Sequence, residues 1–238
     1  MARQNENECL EELRNAFLGE TNVKIYTNCE PETISQIIFS AKPNPNSNSF
    51  PDFVFSDGGI EHFELTSSKE TRKGSEFKID ESINKKLNDV HFEKLKEEYS
   101  NTKIAPGTIT ADDYEEVYES FSYESFIHSL ERNIINHVES LEKSNYKNKV
   151  VVFLMEQQTA RLWIDKGIIP ISFYELHMDK KALSILKQHC SSVNYIIYFV
   201  ADSVEVLDMS KINDLLNESQ VYKNVKGGRL IKHHLILQ

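Results

Sequence analysis

The sequence predicts an α/β fold in which a mixed central sheet is flanked by helices. Two continuous apolar runs, 149–155 and 195–200, are bounded by polar residues, as is typical of buried central strands. Apolar residues recur at helical spacing in several other segments, most clearly over 123–143. A third observation is a hairpin pattern over 52–66. Strands interspersed with helices in this way are typical of α/β proteins.

Length and composition narrow the class of protein further. The chain has 238 residues and 39% hydrophobic residues without a break in composition, which predicts one domain over 1–238. No apolar run approaches the roughly 20 residues of a membrane span, so no membrane partner is expected. The N-terminal residues contain no apolar segment of the signal-peptide type, which predicts a cytoplasmic protein. Three cysteines lie far apart, without the paired spacing of a disulfide framework or of a zinc site.

The N-terminal part is predicted to contain two helices and a short strand before the hairpin. Leucine and phenylalanine near helical spacing predict a helix over 8–18, and a short strand is expected over 23–26. Pro31 occupies a first-turn position, which predicts that a second helix begins there. The segment 41–49 is rich in Pro, Asn and Ser and is interpreted as a loop that leads into the hairpin.

The hairpin is predicted from one turn signal and two alternating strands. Strands over 52–55 and 60–66 flank Asp57-Gly58-Gly59, whose glycines offer the positive φ angles of a tight turn. Pro51 lacks a backbone donor and fits the first position of a strand, so Asp52 lies at the mouth of the hairpin. Alternation sends two sets of side chains to opposite faces: His62, Glu64 and Thr66 to one, Phe63 and Leu65 to the other.

The rest of the chain is predicted to alternate between helices and strands. The acidic run 112–119 is interpreted as the solvated start of a helix, and 226–229 as a turn. The predicted elements are helices over 79–99, 123–143, 178–189 and 212–216, and strands over 149–155, 168–174, 195–200, 204–207 and 229–237.

Pro51-Asp52, a short turn and Glu64-Leu65-Thr66 together resemble the signature of the PD-(D/E)xK nuclease superfamily. In that motif Pro-Asp is followed, after a spacer, by Glu-x-Lys. Thr66 stands where the lysine is expected, so this is a Glu-x-Thr variant. The resemblance implies a restriction-endonuclease-like fold, with an α-β-β-β-α-β core in which a mixed sheet is flanked by helices. The predicted order of elements agrees with that core.

The same resemblance implies a metal-dependent nuclease. Asp52, Glu64 and the backbone carbonyl of Leu65 would bind Mg²⁺ or Mn²⁺, and hard oxygen ligands of this kind suit these cations. The implied reaction is hydrolysis of phosphodiester bonds in nucleic acid, DNA more than RNA, in restriction, repair or defence. Nuclease-like proteins often dimerise to cut two strands, so a homodimer is compatible with this interpretation.

Two lysines are candidates for the cation that the Glu-x-Thr variant lacks. Lys86 falls within the apolar stripe of the predicted helix 79–99, which follows the hairpin in the chain. Its ammonium group is therefore expected on the face of the helix that packs beside the hairpin. Lys69 follows the second strand, close to Arg72 and Lys73 in a basic segment that could grip a phosphate. Lys86 is the first choice and Lys69 the second. The alternative for Lys86 is an aliphatic stem that packs at the core edge with its charge in solvent.

The net charge of −10 keeps a second class of function open. Nucleic-acid binders are usually basic, because neutralising phosphates supplies most of the non-specific affinity. This charge and the missing lysine favour a catalytically inactive, nuclease-like acidic protein, or a DNA mimic, that acts through a protein partner. Mn²⁺ binding through Asp52 and Glu64 discriminates between the two. The sequence contains no nucleophile elbow and no Walker loop to indicate another hydrolase or transferase.

Overall fold

A computed structural model describes most of the chain. The described residues are 2–21, 23–46, 49–67, 70–71, 74–75, 114–117, 122–157, 161–164, 172–200, 203–223 and 225–231. The helices are α1 (Ala2–Phe17), α2 (Pro31–Ser40), α3 (Tyr123–Glu142), α4 (Lys180–His189) and α5 (Ile212–Glu218). Strands β1 to β7 are Lys24–Thr27, Lys42–Pro43, Phe53–Phe55, Gly58–Glu64, Glu70–Thr71, Gly74–Ser75 and Tyr114–Val117. Strands β8 to β13 are Val150–Gln157, Arg161–Ile164, Ser172–Phe173, Tyr195–Val200, Ser203–Asp208 and Val225–Ile231.

The central sheet has seven strands of mixed direction in the order β1-β12-β11-β8-β4-β3-β2. Strands β2, β3 and β4 form an antiparallel meander, whereas β4, β8 and β11 run parallel to one another. Antiparallel pairing then joins β11 to β12, whose outer neighbour β1 is parallel to it. The fold is therefore α/β with a mixed central sheet, as predicted. The described part of the chain contains no helix long and apolar enough to span a bilayer.

Helices cover both faces of this sheet and divide the core into two layers. Helices α1 and α2 pack on one face, where their buried residues include Leu13 and Ile38. Helices α3, α4 and α5 pack on the opposite face, with Leu130 and Leu183 among the buried residues. Side chains of the central strands alternate between the two layers, because successive residues of a strand point to opposite faces. Phe63 and Leu65 enter the α3 layer, as the predicted alternation requires.

The two glycines of the hairpin have a different role from the predicted one. The turn consists of Ser56 and Asp57, and Gly58 and Gly59 are the first residues of β4. Neither glycine adopts a positive φ. A Cβ at Gly58 would lie 1.9 Å from the carbonyl oxygen of Val150, and one at Gly59 would lie 2.2 Å from Pro51. Glycine is needed here for the close approach of neighbouring chain segments.

Two further predictions about local structure are wrong. Residues 114–117 form strand β7, where the acidic run had been interpreted as a helix start. The glycines at 227–228 lie within β13, where a turn was expected. In both cases the pairing of β7 with β13 decides the conformation, because cross-strand hydrogen bonds outweigh local sequence preference.

Most of the other predicted elements are confirmed. The predicted helix 123–143 and the strands 149–155, 195–200 and 204–207 are found within two residues of their expected bounds. The helices expected near 8–18, 178–189 and 212–216 are also present. The predicted helix 79–99 lies outside the described residues.

Candidate functional site

Asp52 lies immediately before β3, at the open end of the hairpin, and follows a cis Phe50–Pro51 peptide. Its carboxylate Oδ2 accepts a hydrogen bond from the backbone N–H of His62 on β4, over 2.8 Å. Burial, followed by the negative charge of Glu61, raises the pKa of Asp52 from its usual 3.8 to about 6. The Asp52 carboxylate is therefore held in place beside a second carboxylate, at an energetic cost that a bound cation would remove.

Glu61 on β4 faces helix α3 and has a buried carboxylate. Its Oε1 accepts a hydrogen bond from Nδ1 of His137 over 2.7 Å, and the His137 ring stacks on Phe63. Its Oε2 is buried and has no hydrogen-bond partner within the described ranges. Buried carboxylate oxygens normally accept a hydrogen bond or bind a cation, so Oε2 of Glu61 is positioned to do either.

Glu64 ends β4 and is exposed, whereas Leu65 is buried. The parallel register places Glu64 beside Glu156 on β8, and the backbone N–H of Leu65 donates to the Glu156 carbonyl over 2.7 Å. Both glutamates thus lie at the carboxyl ends of neighbouring parallel strands, the edge where ligands usually bind in α/β sheets.

The hairpin register separates the two predicted metal-binding carboxylates along β4. Phe53 pairs with Ile60, so the position opposite Asp52 is that of Glu61. Glu64 lies three residues farther along β4, about 10 Å at the rise of a strand. Hence Glu61 is the carboxylate that lies beside Asp52, whereas Glu64 points to the opposite face of β4 with His62.

A buried cluster of three further side chains lies behind the hairpin. Nε2 of His62 donates to Oε2 of Glu156 over 2.9 Å, and Sγ of Cys9 on α1 lies beside them. One potential ligand atom from each of the three residues lies within 4.8 Å of the other two. Burial and then the charge of Glu156 raise the pKa of the Cys9 thiol well above its usual value. Without a cation, the thiol is therefore protonated.

Additional carboxylates surround this buried cluster. Glu12 on α1 and Glu64 both add negative charge near Cys9. The pKa of Glu12 is itself raised, first by burial and then by Glu156 and Glu8.

Sequence reasoning missed Glu61, Glu156, Cys9 and His137 as members of the site. The side chain of His137 on α3 is 23% exposed and pairs with Glu61. Of these residues, only Glu61 could have been predicted from the local sequence, because it directly opposes Asp52 when the hairpin has a two-residue turn. The candidate lysines Lys69 and Lys86 lie outside the described residues.

Comparison of this chain with protein-family models, with curated proteins and with solved structures finds no match. The function is consequently inferred from the chemistry of the hairpin and from the order of elements around it. Among the described residues, the carboxylates of the hairpin provide the strongest chemical signal.

Proposed function

We propose that this protein is a metal-dependent nuclease that hydrolyses phosphodiester bonds, with DNA favoured over RNA as substrate. The main support is the hairpin's carboxylate pair, in which Asp52 is partly buried next to Glu61 and Glu61 Oε2 has no described hydrogen-bond partner. Two like charges in such a position repel one another and are costly to desolvate. A divalent cation between them offsets both costs and suits their oxygen ligands.

The order of elements gives separate support. The short strands β5, β6 and β7 come between β4 and α3 but lie outside the central sheet. Among the strands of the central sheet and the helices that cover it, α2 is followed by the antiparallel meander β2-β3-β4, then α3, and then β8 parallel to β4. This is the α-β-β-β-α-β order that the motif resemblance implies, and a restriction-endonuclease-like fold is therefore part of the proposal. Many α/β proteins share such an order, so the carboxylates carry more weight than the topology.

Asp52 and Glu61 are the residues that would hold Mg²⁺ or Mn²⁺, whereas Glu64 and the backbone carbonyl of Leu65, the ligands that the motif implies, lie about 10 Å farther along β4. When bound, the metal lowers the pKa of a water molecule and offsets charge on the phosphoryl group. The backbone N–H of His62 orients the Asp52 carboxylate. His137 binds one oxygen of Glu61 and thereby fixes the direction of the other. A lysine, Lys86 or Lys69, would supply positive charge beside the phosphate.

Cleavage of plasmid DNA and single-stranded DNA with Mg²⁺ or Mn²⁺ tests this function. We expect Asp52→Asn and Glu61→Gln each to reduce cleavage by at least about 100-fold, because each removes a charged metal ligand and with it the charge that acts on the transition state. Glu64→Gln tests the ligand that the motif implies, and an equal loss in this variant would contradict the pairing of Asp52 with Glu61. Glu139→Gln is the matched control, since Glu139 is an exposed glutamate on α3.

Calorimetric titration with Mn²⁺ separates the nuclease from the acidic binding protein. A nuclease should bind Mn²⁺ and lose that binding in the Asp52→Asn variant. Undiminished cleavage in Asp52→Asn would exclude the assigned site. Absence of both cleavage and Mn²⁺ binding would favour a catalytically inactive protein that acts through a protein partner.

A further inference from the structure

The buried cluster behind the hairpin combines three residue types that bind transition metals together. Cys9, His62 and Glu156 lie on α1, β4 and β8, and they are 1%, 7% and 6% exposed. Their potential ligand atoms lie within 4.8 Å of one another. At bond lengths of about 2.0 to 2.3 Å, the ligand atoms of a tetrahedral zinc ion lie roughly 3.3 to 3.7 Å apart. Small side-chain movements therefore suffice to bring the three atoms around one ion.

We propose that Cys9 Sγ, His62 Nε2 and a Glu156 carboxylate oxygen bind one Zn²⁺ ion that ties α1 to the central sheet. Glu12, three residues after Cys9 on the same face of α1, is the candidate for the fourth ligand. A thiol and an imidazole favour Zn²⁺ over Mg²⁺, which prefers oxygen ligands. This site is thus chemically distinct from the proposed Mg²⁺ site on the hairpin, and it does not depend on nuclease activity.

The charges around the cluster also favour a cation. Glu12, Glu64 and Glu156 all add negative charge near the thiol, which lies at the buried end of the group. Binding forms Zn–S, Zn–N and Zn–O bonds and releases the thiol proton to solvent. Because Nε2 of His62 donates to Glu156 in the metal-free protein, zinc binding also transfers the imidazole proton from Nε2 to Nδ1. Because the three ligands come from elements far apart in sequence, the metal would bind the folded chain and not the unfolded one.

Zinc binding by the full chain, stripped of metal with a chelator, tests the proposal directly. We expect one Zn²⁺ per chain by elemental analysis after dialysis, and a rise in Tm of roughly 5 to 10 °C at saturating Zn²⁺. Cys9→Ser should weaken Zn²⁺ binding by at least about 100-fold, since removing even an outer partner of a metal ligand costs up to that amount. Cys190→Ser, which removes another buried thiol, should leave Zn²⁺ binding unchanged.

Cobalt substitution provides a second readout that does not require a stable variant. Co²⁺ bound to the wild-type protein should give the near-ultraviolet charge-transfer absorption of a cobalt–thiolate bond, and excess Zn²⁺ should abolish it. Lack of stoichiometric Zn²⁺ binding, or absence of this absorption, would overturn the proposal. Equal Zn²⁺ affinity in wild type and a folded Cys9→Ser variant would do so as well. Each result is independent of DNA cleavage, so the zinc site and the nuclease assignment can fail separately.

Discussion

Gly58 illustrates how a single residue determines the geometry of the candidate site. It begins β4 directly beside Val150 of β8, and a Cβ there would also lie 2.6 Å from the Phe55 ring. Any larger side chain must push β4 away from β8. Since β4 carries Glu61 and Glu64, the position of both acids depends on this close contact.

Gly58→Ala is therefore expected to destabilise the protein by about 3 kcal/mol, the upper range for overpacking a well-packed region. Gly19→Ala is the matched control: Gly19 has φ +73° and open space around its Cβ position. That substitution should cost only about 1 to 2 kcal/mol, from left-handed backbone strain. Urea denaturation of both variants measures the difference, and an equal or smaller loss for Gly58→Ala would contradict the close contact.

At the scale of elements, Asp179 connects the starts of two helices. It is fully buried and caps α4, accepting hydrogen bonds from the backbone N–H groups of Lys181 and Ala182. It also accepts hydrogen bonds from the hydroxyls of Tyr123, the first residue of α3, and Tyr174. One carboxylate thus fixes the relative position of α3 and α4, the helices that cover one face of the sheet.

Asp179→Ala should lower the free energy of unfolding by about 3 to 4 kcal/mol, because it removes a helix cap and leaves the buried Tyr174 hydroxyl and the half-buried Tyr123 hydroxyl without their acceptor. Ser122→Ala serves for comparison, since the Ser122 hydroxyl caps α3 by accepting from the Ser125 N–H and donates to the Ser125 hydroxyl, with no tyrosine involved. Ser122→Ala should lower the free energy of unfolding by about 1 kcal/mol. Thermal or urea denaturation gives both values; similar losses for the two variants would show that the tyrosine bonds add no stability.

For the molecule as a whole, a net charge of −10 opposes binding to a polyanion. The acids of the hairpin and of the neighbouring cluster contribute to this charge close to the proposed site of cleavage. The proposed nuclease therefore needs divalent cations for substrate binding as well as for chemistry.

We expect no measurable DNA binding in EDTA at about 0.15 M salt. Ca²⁺, a hard cation that binds to oxygen ligands, should raise the affinity at least about tenfold by offsetting repulsion of the phosphates. Glu61→Gln should lose most of this gain in affinity, whereas Glu139→Gln, at an exposed position, should retain it. Fluorescence anisotropy with labelled DNA measures these affinities. Tight binding in EDTA would mean that a basic surface outside the described acids holds the DNA.

Part of the candidate site could be predicted from the sequence because its signals are local. Proline before Asp52 and the alternation along β4 placed Asp52 and Glu64 on one hairpin, with His62 and Phe63 on opposite faces. Glu156 gave no such signal, since it follows an apolar run and meets His62 only when β8 lies beside β4. Cys9 likewise could not be predicted as a site residue, because its spacing to the other cysteines indicated no metal site.

Local sequence patterns predict the main helices and strands and the alternation of side chains along the central strands. Those features depend on periodicity and on turn residues within a few positions, so they can be read from a short segment. The tertiary structure alone decided which side chains are neighbours: Glu61 opposite Asp52, and Cys9 beside His62 and Glu156. Strand order and helix docking bring residues together across large sequence separations, and they are set by packing of the whole core, which no local pattern encodes.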